Sequence, residues 1–335
     1  MNYLLPMAIL AVIAAFFITN AVSPFFIRRM HFRRILGRDM NKLGNAKVAE
    51  MGGITVMLGF AFAIIVAIFS YTYLDLIELN LTAVLAAFST VILIGLLGII
   101  DDLIGWRHGI RQWQHALIPI FAALPLMALN IGTTEMRLPI IGVFSFGIFY
   151  SLVIVPIGIT GASNAFNMLA GLNGLEAGMG AIISFTMLII AMFYGSVESA
   201  IILAAMLGAL LAFLRFNWFP ARIFPGDSLT LMIGAGLASA VIIGNMEKLG
   251  MLIIVLYFAE FLFKARHRFQ SQCFGIPQKD GTLKADPRGG SLTQWVMRMG
   301  NFTEKQVVLI ILGMQALVSL FTFIIFANEF FGWWG

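Results

Sequence analysis

Two adjacent aspartates, Asp101 and Asp102, directly follow an uncharged apolar run from Leu81 to Ile100. A carboxylate at a membrane boundary is costly to desolvate, and two adjacent carboxylates repel each other. Such a pair is typical of a bound cation, a phosphate-bearing ligand with its Mg²⁺, or a proton transfer. Arg111 and other basic residues follow closely and suit phosphate oxygens. A solvated loop that starts at a helix end has the same composition, so the rest of the chain must decide.

A segment rich in asparagine and glycine is the second unusual polar element. Four of its residues are spaced at i, i+3, i+7 and i+10: Asn164, Asn167, Gly171 and Gly174. This spacing predicts one face of a helix. Asparagine is unfavourable inside helices, so its amides need hydrogen-bond partners. Glycine permits close approach of a nucleotide or a metal-bound phosphate, although small residues also serve helix packing.

Asp227 is a lone carboxylate at the start of another apolar run, where an N-cap is the simple interpretation. Together with Asp101, Asp102 and Asn167 it becomes a candidate ligand for Mg²⁺, which prefers hard oxygen donors. The basic run at 264–268 supplies cations suited to a diphosphate. These groups predict a site for a phosphorylated ligand and a divalent metal, next to an apolar wall that suits a lipid.

The elements that position these groups are predicted to be transmembrane helices. The 335-residue chain is 60% hydrophobic and 11% charged, and its single cysteine excludes an internal disulfide. Uncharged apolar stretches of about 17–25 residues are typical of helices that span a membrane. We predict ten spans, at 3–23, 52–74, 81–100, 116–131, 140–162, 178–196, 199–214, 228–245, 249–263 and 306–328.

The basic residues are distributed very unevenly between the two sides of this predicted bundle. One side holds 19 of the 21 lysines and arginines. Its loops are 24–51, 101–115, 163–177, 215–227 and 264–305. The positive-inside rule predicts that these loops are cytoplasmic and that both termini lie outside. We therefore expect one polytopic all-α domain, residues 1–335, in the cell membrane, rather than a nucleic-acid-binding protein.

The last cytoplasmic loop has predicted structure of its own. Turn residues at 279–281 lie between two short apolar segments and predict a β-hairpin. The helical spacing of Leu292, Trp295, Val296 and Met299 predicts an amphipathic helix on the membrane. The basic cluster of the first loop is interpreted as a topology signal that binds anionic headgroups.

Four sequence motifs occur in order on these loops: GIIDD at 98–102, NAFNMLAGLNGLEAG at 164–178, GDS at 226–228 and RHR at 266–268. Together they resemble the polyprenyl-phosphate N-acetylhexosamine-1-phosphate transferases, glycosyltransferase family 4. The resemblance is greatest to the UDP-GlcNAc:dolichyl-phosphate GlcNAc-1-phosphate transferases of the eukaryotic and archaeal branch. It spans essentially the whole chain and is most specific in the asparagine–glycine segment.

This resemblance implies transfer of GlcNAc 1-phosphate from UDP-GlcNAc to a polyprenyl or dolichyl phosphate. The products would be UMP and a lipid-diphosphate-GlcNAc, in the first step of lipid-linked oligosaccharide assembly for N-glycosylation. The implied cofactor is Mg²⁺ or Mn²⁺. The implied partners are a UDP-N-acetylhexosamine, a polyprenyl or dolichyl phosphate and membrane lipids, and a homodimer is left open.

The resemblance also implies roles for individual residues. Asp101 and Asp102 match the pair assigned to catalysis, with Asp101 meeting the lipid phosphate. Asn167 and Asp227 match the metal ligands. The matches to uridine contacts are Gly171, Asn173, Phe224 and Met40. Arg266 matches a diphosphate contact and Arg268 the residue that recognises the GlcNAc group. The matches elsewhere on the substrates are Glu50, Arg111, Asn164 and His267.

Two departures from the family pattern leave alternatives open. Many bacterial relatives carry a third aspartate where this chain has Gly105, and the eukaryotic branch carries a lysine where it has Gly109. The phosphate role of Arg111 is therefore not fixed. A bacterial-type transferase for cell-wall or O-antigen synthesis, such as a phospho-MurNAc-pentapeptide transferase, is the alternative within the family. A transporter is the alternative outside it, but its polar residues would lie at the membrane midplane.

Overall fold

The computed structural model describes residues 3–44, 46–105, 117, 119–129, 135–138 and 142–332. In chain order its helices are α1 (Leu4–Arg33), α2 (Gly53–Leu74), α3 (Leu81–Gly105), α4 (Pro119–Ala122), α5 (Leu124–Ala128), α6 (Val155–Met168), α7 (Leu175–Tyr194), α8 (Val197–Asn217), α9 (Gly226–Ile243), α10 (Glu247–Ile253), α11 (Val255–Arg266), α12 (Leu292–Met297) and α13 (Glu304–Phe331). A π-helical turn, Tyr150–Ile154, leads directly into α6.

Within the described part of the chain, eight helices are long and apolar enough to cross a membrane. They are α1, α2, α3, α6 with its π-helical turn, α7, α8, α9 and α13. The predicted all-α integral membrane fold is confirmed. The count of ten spans stays a prediction, because 116–131 contains only the short α4 and α5 among described residues, and 249–263 is divided into α10 and α11.

The break between α10 and α11 has a hydrogen-bond partner inside the bundle. Gln315 of α13 is fully buried, and its Nε2 donates to the backbone carbonyl of Ile253 at 3.0 Å. Backbone groups released by a helix break in a membrane need an internal partner. Gln315 therefore supports a broken segment that hydropathy alone predicts as one continuous span.

Several helix boundaries differ from the predicted ones. Four residues of the basic cluster predicted to lie in loop 24–51, Arg28, Arg29, His31 and Arg33, form the last turns of α1, where cations oppose the negative end of the helix dipole. Asp101 and Asp102 lie inside α3 instead of starting a loop. The span predicted at 140–162 begins too early, because residues 142–145 form a strand.

Short antiparallel strands lie in the loops between the helices. Among described residues they form three sheets: β1 (Leu36–Arg38) with β2 (Lys47–Ala49), β3 (Glu135–Leu138) with β4 (Gly142–Ser145), and β5 (Ile276–Pro277) with β6 (Thr282–Lys284) and β7 (Phe302–Thr303). The hairpin predicted around 279–281 is confirmed as β5–β6, and Gly281 takes φ +84° in its turn. The third strand, β7, was not predicted.

The helix predicted at Ser291–Met299 is α12, which is shorter and packs against α11 and α13. Leu292 and Val296 of its apolar face are buried in the protein, whereas Trp295 and Met299 are exposed. The expectation that the whole apolar face lies on the membrane is therefore wrong for two of its four residues.

Helix α9 lies at the centre of the bundle and contacts α2, α3, α6 and α8. It is the most buried of the eight long helices. Its N-terminus meets the C-terminal ends of α3 and α6, which carry the aspartate pair and the asparagines. The central position of α9 thus brings three of the sequence motifs to one end of the bundle.

Candidate active site

Asp102 of α3 binds the N-terminus of α9. Its Oδ1 accepts the backbone N–H of Asp227 at 2.8 Å, and its Oδ2 accepts that of Ser228 at 3.3 Å. The first N–H groups of a helix have no partner within the helix, so Asp102 caps α9 from a neighbouring element. Gly226 takes φ +68°, and a Cβ there would lie 3.0 Å from the Asp102 carboxyl carbon. Glycine is therefore required for this close contact.

Asp227 is brought against Asn167 across the α6–α9 interface. Asn167 Nδ2 donates to Asp227 Oδ1 at 2.8 Å and to Thr230 Oγ1 at 3.2 Å. The N-cap of α9 is Pro225, with no capping bond from its own side chain. The simple interpretation of Asp227 as an N-cap is therefore wrong, since Asp102 caps this helix.

The Asn167–Asp227 pair fits a divalent cation by its donor set. An amide oxygen and a carboxylate are hard donors, and Mg²⁺ often takes one or two protein ligands with the rest from phosphates and water. In the described ranges, no group of three or more histidine, cysteine, aspartate or glutamate side chains is arranged to hold a metal. The donor set therefore suits a metal that binds together with a phosphorylated substrate.

A cavity of about 240 Å³ opens beside Asp227. The predicted site residues that line it are Met40, Glu50, Gly171, Asn173, Phe224 and Asp227. Phe224 is held next to β2, because its N–H donates to the Ala49 carbonyl at 2.7 Å and its carbonyl accepts the Gly52 N–H at 2.9 Å. This pairing places Phe224 and Glu50 in the same wall.

The turn that follows α6 forms another wall of the cavity. The expectation that Asn164, Asn167, Gly171 and Gly174 share one helix face is wrong, because α6 ends at Met168. The two glycines take φ +137° and +83°, which a right-handed helix does not allow. Their N–H groups donate to side chains instead, to Glu176 Oε1 at 2.6 Å and to Asn217 Oδ1 at 3.1 Å.

Two residues of the first loop, Asp39 and Asn41, line the cavity without having been predicted. Asn41 Nδ2 donates to the Gly171 carbonyl at 2.8 Å, and Asn41 Oδ1 accepts the Gly275 N–H at 2.9 Å. Asp39 Oδ2 accepts Asn173 Nδ2 at 3.2 Å. Their signal in the sequence is the segment 38–42, which places polar residues next to a short strand.

Not every predicted residue reaches this cavity. Asp101, Asp102, Asn164 and Asn167 are outside its lining. Asp102 and Asn167 contact Asp227, which does line it. The amide of Asn164 donates to the Thr160 carbonyl one turn earlier at 2.8 Å. Arg111 lies outside the described residues.

Arg266 and His267 line a second cavity, of about 310 Å³, together with Trp295 and Arg298. His267 Nδ1 is 2.9 Å from the Phe263 carbonyl oxygen, one turn earlier on α11. Arg268 follows with φ +54° and is exposed, outside the lining of both cavities. Arg266 and His267 therefore line a different cavity from Asp227, and the roles predicted for all three residues of the basic triplet stay predictions.

Cys273 of the loop 264–305 is buried against the end of α6. Burial raises the pKa of its thiol to about 12, and the nearby Glu260 carboxylate adds to the rise. The thiol is therefore protonated at neutral pH, and its Sγ donates to the Met168 carbonyl at 3.3 Å.

Comparison with known proteins bears on the same residues. Residues 84–245 match the model of glycosyl transferase family 4. A protein of Saccharolobus solfataricus is 35% identical over 319 residues, which cover 95% of this chain and 96% of the relative. A protein of Sulfolobus acidocaldarius is 36% identical over 323 residues, with 93% and 94% covered. Both are provisionally named UDP-N-acetylglucosamine–dolichyl-phosphate N-acetylglucosaminephosphotransferase.

Bacterial proteins match a smaller part of the chain. A phospho-N-acetylmuramoyl-pentapeptide-transferase of Halalkalibacterium halodurans is 34% identical over 260 residues, which cover 74% of this chain and 77% of that protein. The family match includes Asp102, Asn167 and Asp227, the residues that meet around the start of α9. From its sequence motifs, its membrane fold and these relatives, the chain belongs to glycosyl transferase family 4.

Proposed function

We propose that this protein transfers N-acetylglucosamine 1-phosphate from UDP-GlcNAc to a polyprenyl or dolichyl phosphate. The observation that carries the proposal is the meeting of Asp102, Asn167 and Asp227 beside a cavity at one end of the bundle. Relatives named for this reaction match nearly the full length of both chains, whereas the bacterial pentapeptide transferase matches about three quarters. The products are UMP and a lipid-diphosphate-GlcNAc.

The cavity residues suit the nucleotide part of the donor. Phe224 supplies an aromatic face, and Gly171 has no side chain to block a planar base. Asn173 adds an amide, which Asp39 already orients by accepting its Nδ2. We assign these residues to the uridine and Glu50 to another part of the nucleotide sugar.

The residues around the start of α9 suit the transferring phosphate. Asn167 and Asp227 would hold Mg²⁺ or Mn²⁺, which neutralises diphosphate charge when bound. Asp102 orients Asp227 through the backbone of α9. Asp101 positions or deprotonates the lipid phosphate, whose oxygen attacks the phosphorus attached to GlcNAc while the bond to the UMP oxygen breaks.

The charge distribution supports a cytoplasmic site in the cell membrane. The cavity lies in the loops that hold most of the lysines and arginines, where an anionic nucleotide sugar is attracted. The apolar helices beside it suit the lipid chain of the acceptor.

A turnover assay with defined substrates tests this proposal. The purified protein in lipid nanodiscs, supplied with UDP-GlcNAc, dolichyl phosphate and Mg²⁺, is expected to release UMP. Mass spectrometry should identify the lipid-diphosphate-GlcNAc. Undecaprenyl phosphate and UDP-MurNAc-pentapeptide serve as the comparison substrates. Preference for that bacterial pair, or binding of both proposed substrates without UMP release, would contradict the proposal.

A further inference from the structure

Lys264 of α11 lies against the C-terminal end of α6. Its Nζ donates to the backbone carbonyl of Met168, the last residue of α6. Cys273 Sγ donates to the same oxygen at 3.3 Å. The last carbonyls of a helix lack partners within the helix, and a cation there also opposes the negative end of the helix dipole. Two side chains from outside therefore hold the end of α6.

The charge of Lys264 is balanced by Glu260, one turn earlier on α11. Nζ lies 3.5 Å from Glu260 Oε1, and the two side chains are 13% and 0% exposed. Glu260 Oε2 accepts the Leu292 N–H at 2.6 Å, which connects the pair to the start of α12. Either charge left alone in this interior would be costly, so the carboxylate keeps the ammonium group in place.

The backbone held by Lys264 carries a proposed metal ligand. Met168 directly follows Asn167, whose amide contacts Asp227 and Thr230 at 2.8 and 3.2 Å. Both residues belong to the last turn of α6, so a shift of the Met168 carbonyl also shifts Asn167. Hydrogen bonds of this length are lost when the two groups separate by about 1 Å.

We propose that Lys264 is a positioning residue for the divalent-metal site. It holds the last turn of α6 so that the Asn167 side chain stays beside Asp227. Lys264 acts only through the Met168 backbone and does not touch the cation or the substrates. The inference rests on the proposed function in one respect, which is that Asn167 and Asp227 bind the metal.

The test measures Mn²⁺ binding to the purified full-length protein by electron paramagnetic resonance, with UMP present and no lipid acceptor. Lys264→Met keeps the length of an aliphatic side chain but removes the donor and the charge. We expect it to weaken Mn²⁺ binding about tenfold, as is typical for residues that orient metal ligands. Lys264→Arg keeps a cation and is expected to bind more tightly than Lys264→Met.

Lys248→Met is the matched control. It removes the lysine of an ion pair with Glu329, near the start of α10 and the end of α13. Its Mn²⁺ affinity should equal that of the wild type. A loss as large as that of Lys264→Met would overturn the inference, because any lysine substitution would then have the same effect.

The double variant Lys264→Met, Glu260→Gln separates positioning from folding. It leaves no unpaired buried carboxylate, so its melting temperature should exceed that of Lys264→Met. We expect Mn²⁺ binding to stay weak in it. Wild-type affinity in the double variant, or in Lys264→Met, would overturn the inference, as would an Lys264→Arg variant no better than Lys264→Met.

Asp227→Ala distinguishes failure of the proposed metal site from failure of the positioning role of Lys264. Loss of Mn²⁺ binding in Asp227→Ala together with wild-type binding in Lys264→Met would reject only the role of Lys264. Equal Mn²⁺ binding by the wild type and Asp227→Ala would reject the proposed metal site, and the role of Lys264 with it.

Discussion

Asp102 is the member of the aspartate pair that binds the start of α9. Both carboxylate oxygens of Asp102 accept backbone N–H groups at the start of α9. By accepting these two N–H groups, Asp102 holds the start of α9 in place, and Asp227 with it. Asp101 stays our candidate, from the family resemblance, for the group that meets the lipid phosphate.

Substitution of each aspartate in turn separates the capping role of Asp102 from the proposed role of Asp101 at the lipid phosphate. Asp101→Asn should lower turnover by about 100-fold or more, the usual effect of losing a proton-transfer or positioning carboxylate, with little change in melting temperature. Asp102→Ala should lower turnover too, and it should also destabilise the fold by about 1–2 kcal/mol because α9 loses its cap. Turnover and thermal melting measure both effects.

The control for this comparison is Asp280→Ala, which changes an exposed aspartate in the β5–β6 turn. It should leave turnover unchanged. Equal melting temperatures for Asp102→Ala and Asp101→Asn would show that Asp102 does not stabilise the start of α9.

Asn41 connects three loops at the cavity proposed for the nucleotide, because it bonds both Gly171 and Gly275. Asn41→Ala removes two hydrogen bonds, each worth about 0.5–1.5 kcal/mol. We expect the KM for UDP-GlcNAc to rise about tenfold, while the KM for the lipid phosphate stays the same. Steady-state kinetics with each substrate varied in turn measures both values.

Gln278→Ala is the control for Asn41→Ala, because it removes an exposed amide that bonds the Ile276 carbonyl in the hairpin. It should change neither KM. A rise in both KM values for Asn41→Ala would indicate general disorder of the site and would contradict a role limited to the nucleotide.

At the scale of elements, the contact between α3 and α9 depends on a glycine. Gly226→Ala places a methyl group against the Asp102 carboxylate and keeps an unfavourable φ of +68°. Gly195 has nearly the same φ, +69°, but open space around its missing side chain. The two positions therefore have nearly the same unfavourable φ, but only at Gly226 would an added methyl group contact another side chain.

We expect Gly226→Ala and Gly195→Ala each to be destabilised by about 1–2 kcal/mol by the left-handed conformation. Only Gly226→Ala should also lose turnover, because only there is the cap of α9 displaced. Thermal melting and UMP release compare the two. Equal turnover in both variants would show that the α3–α9 contact does not matter for catalysis.

The asparagine–glycine segment shows what helical periodicity in a sequence can and cannot predict. Its spacing predicts a helical face that runs through Gly174, yet α6 ends at Met168. Asn167 keeps its helical position, whereas Gly171 and Gly174 turn the chain towards Glu176 and Asn217. Periodicity describes a helix but not the residue at which tertiary hydrogen bonds end it.

Hydropathy, like helical periodicity, predicts where a helix begins but not which distant residues it contacts. Seven of the eight long helices begin within three residues of the predicted start, because desolvation of a long apolar segment is a local property. The segment 249–263 is divided in the structure, since Gln315 of α13 supplies the partner for the broken backbone. That partner lies far away in the sequence, and no local pattern identifies it.

At the scale of the whole molecule, the predicted topology places the β5–β6 hairpin in the cytoplasm and residue 78 outside. Single-cysteine variants Lys279→Cys and Glu78→Cys test this at two exposed positions. In intact cells, a membrane-impermeant maleimide should label Glu78→Cys and not Lys279→Cys. The opposite pattern would invert the topology and place the proposed site outside the cell.

The native cysteine provides the control. Cys273 is buried, and its raised pKa of about 12 leaves almost no thiolate at neutral pH, which is the form that reacts with maleimide. The wild type should therefore stay unlabelled in both intact and permeabilised cells. Lys279→Cys should become labelled once the cells are permeabilised.

The sequence by itself determined the multi-pass all-α fold and the family, and it predicted Asn167 and Asp227 as metal ligands. Apolar run length, charge distribution and motif spacing are properties of the chain read in order, so they need no knowledge of contacts. The tertiary structure decided that Asp102 caps α9, that Asn41 connects three loops, and that Lys264 holds the end of α6. These contacts join residues more than 90 positions apart, and their geometry exists only once the helices have packed.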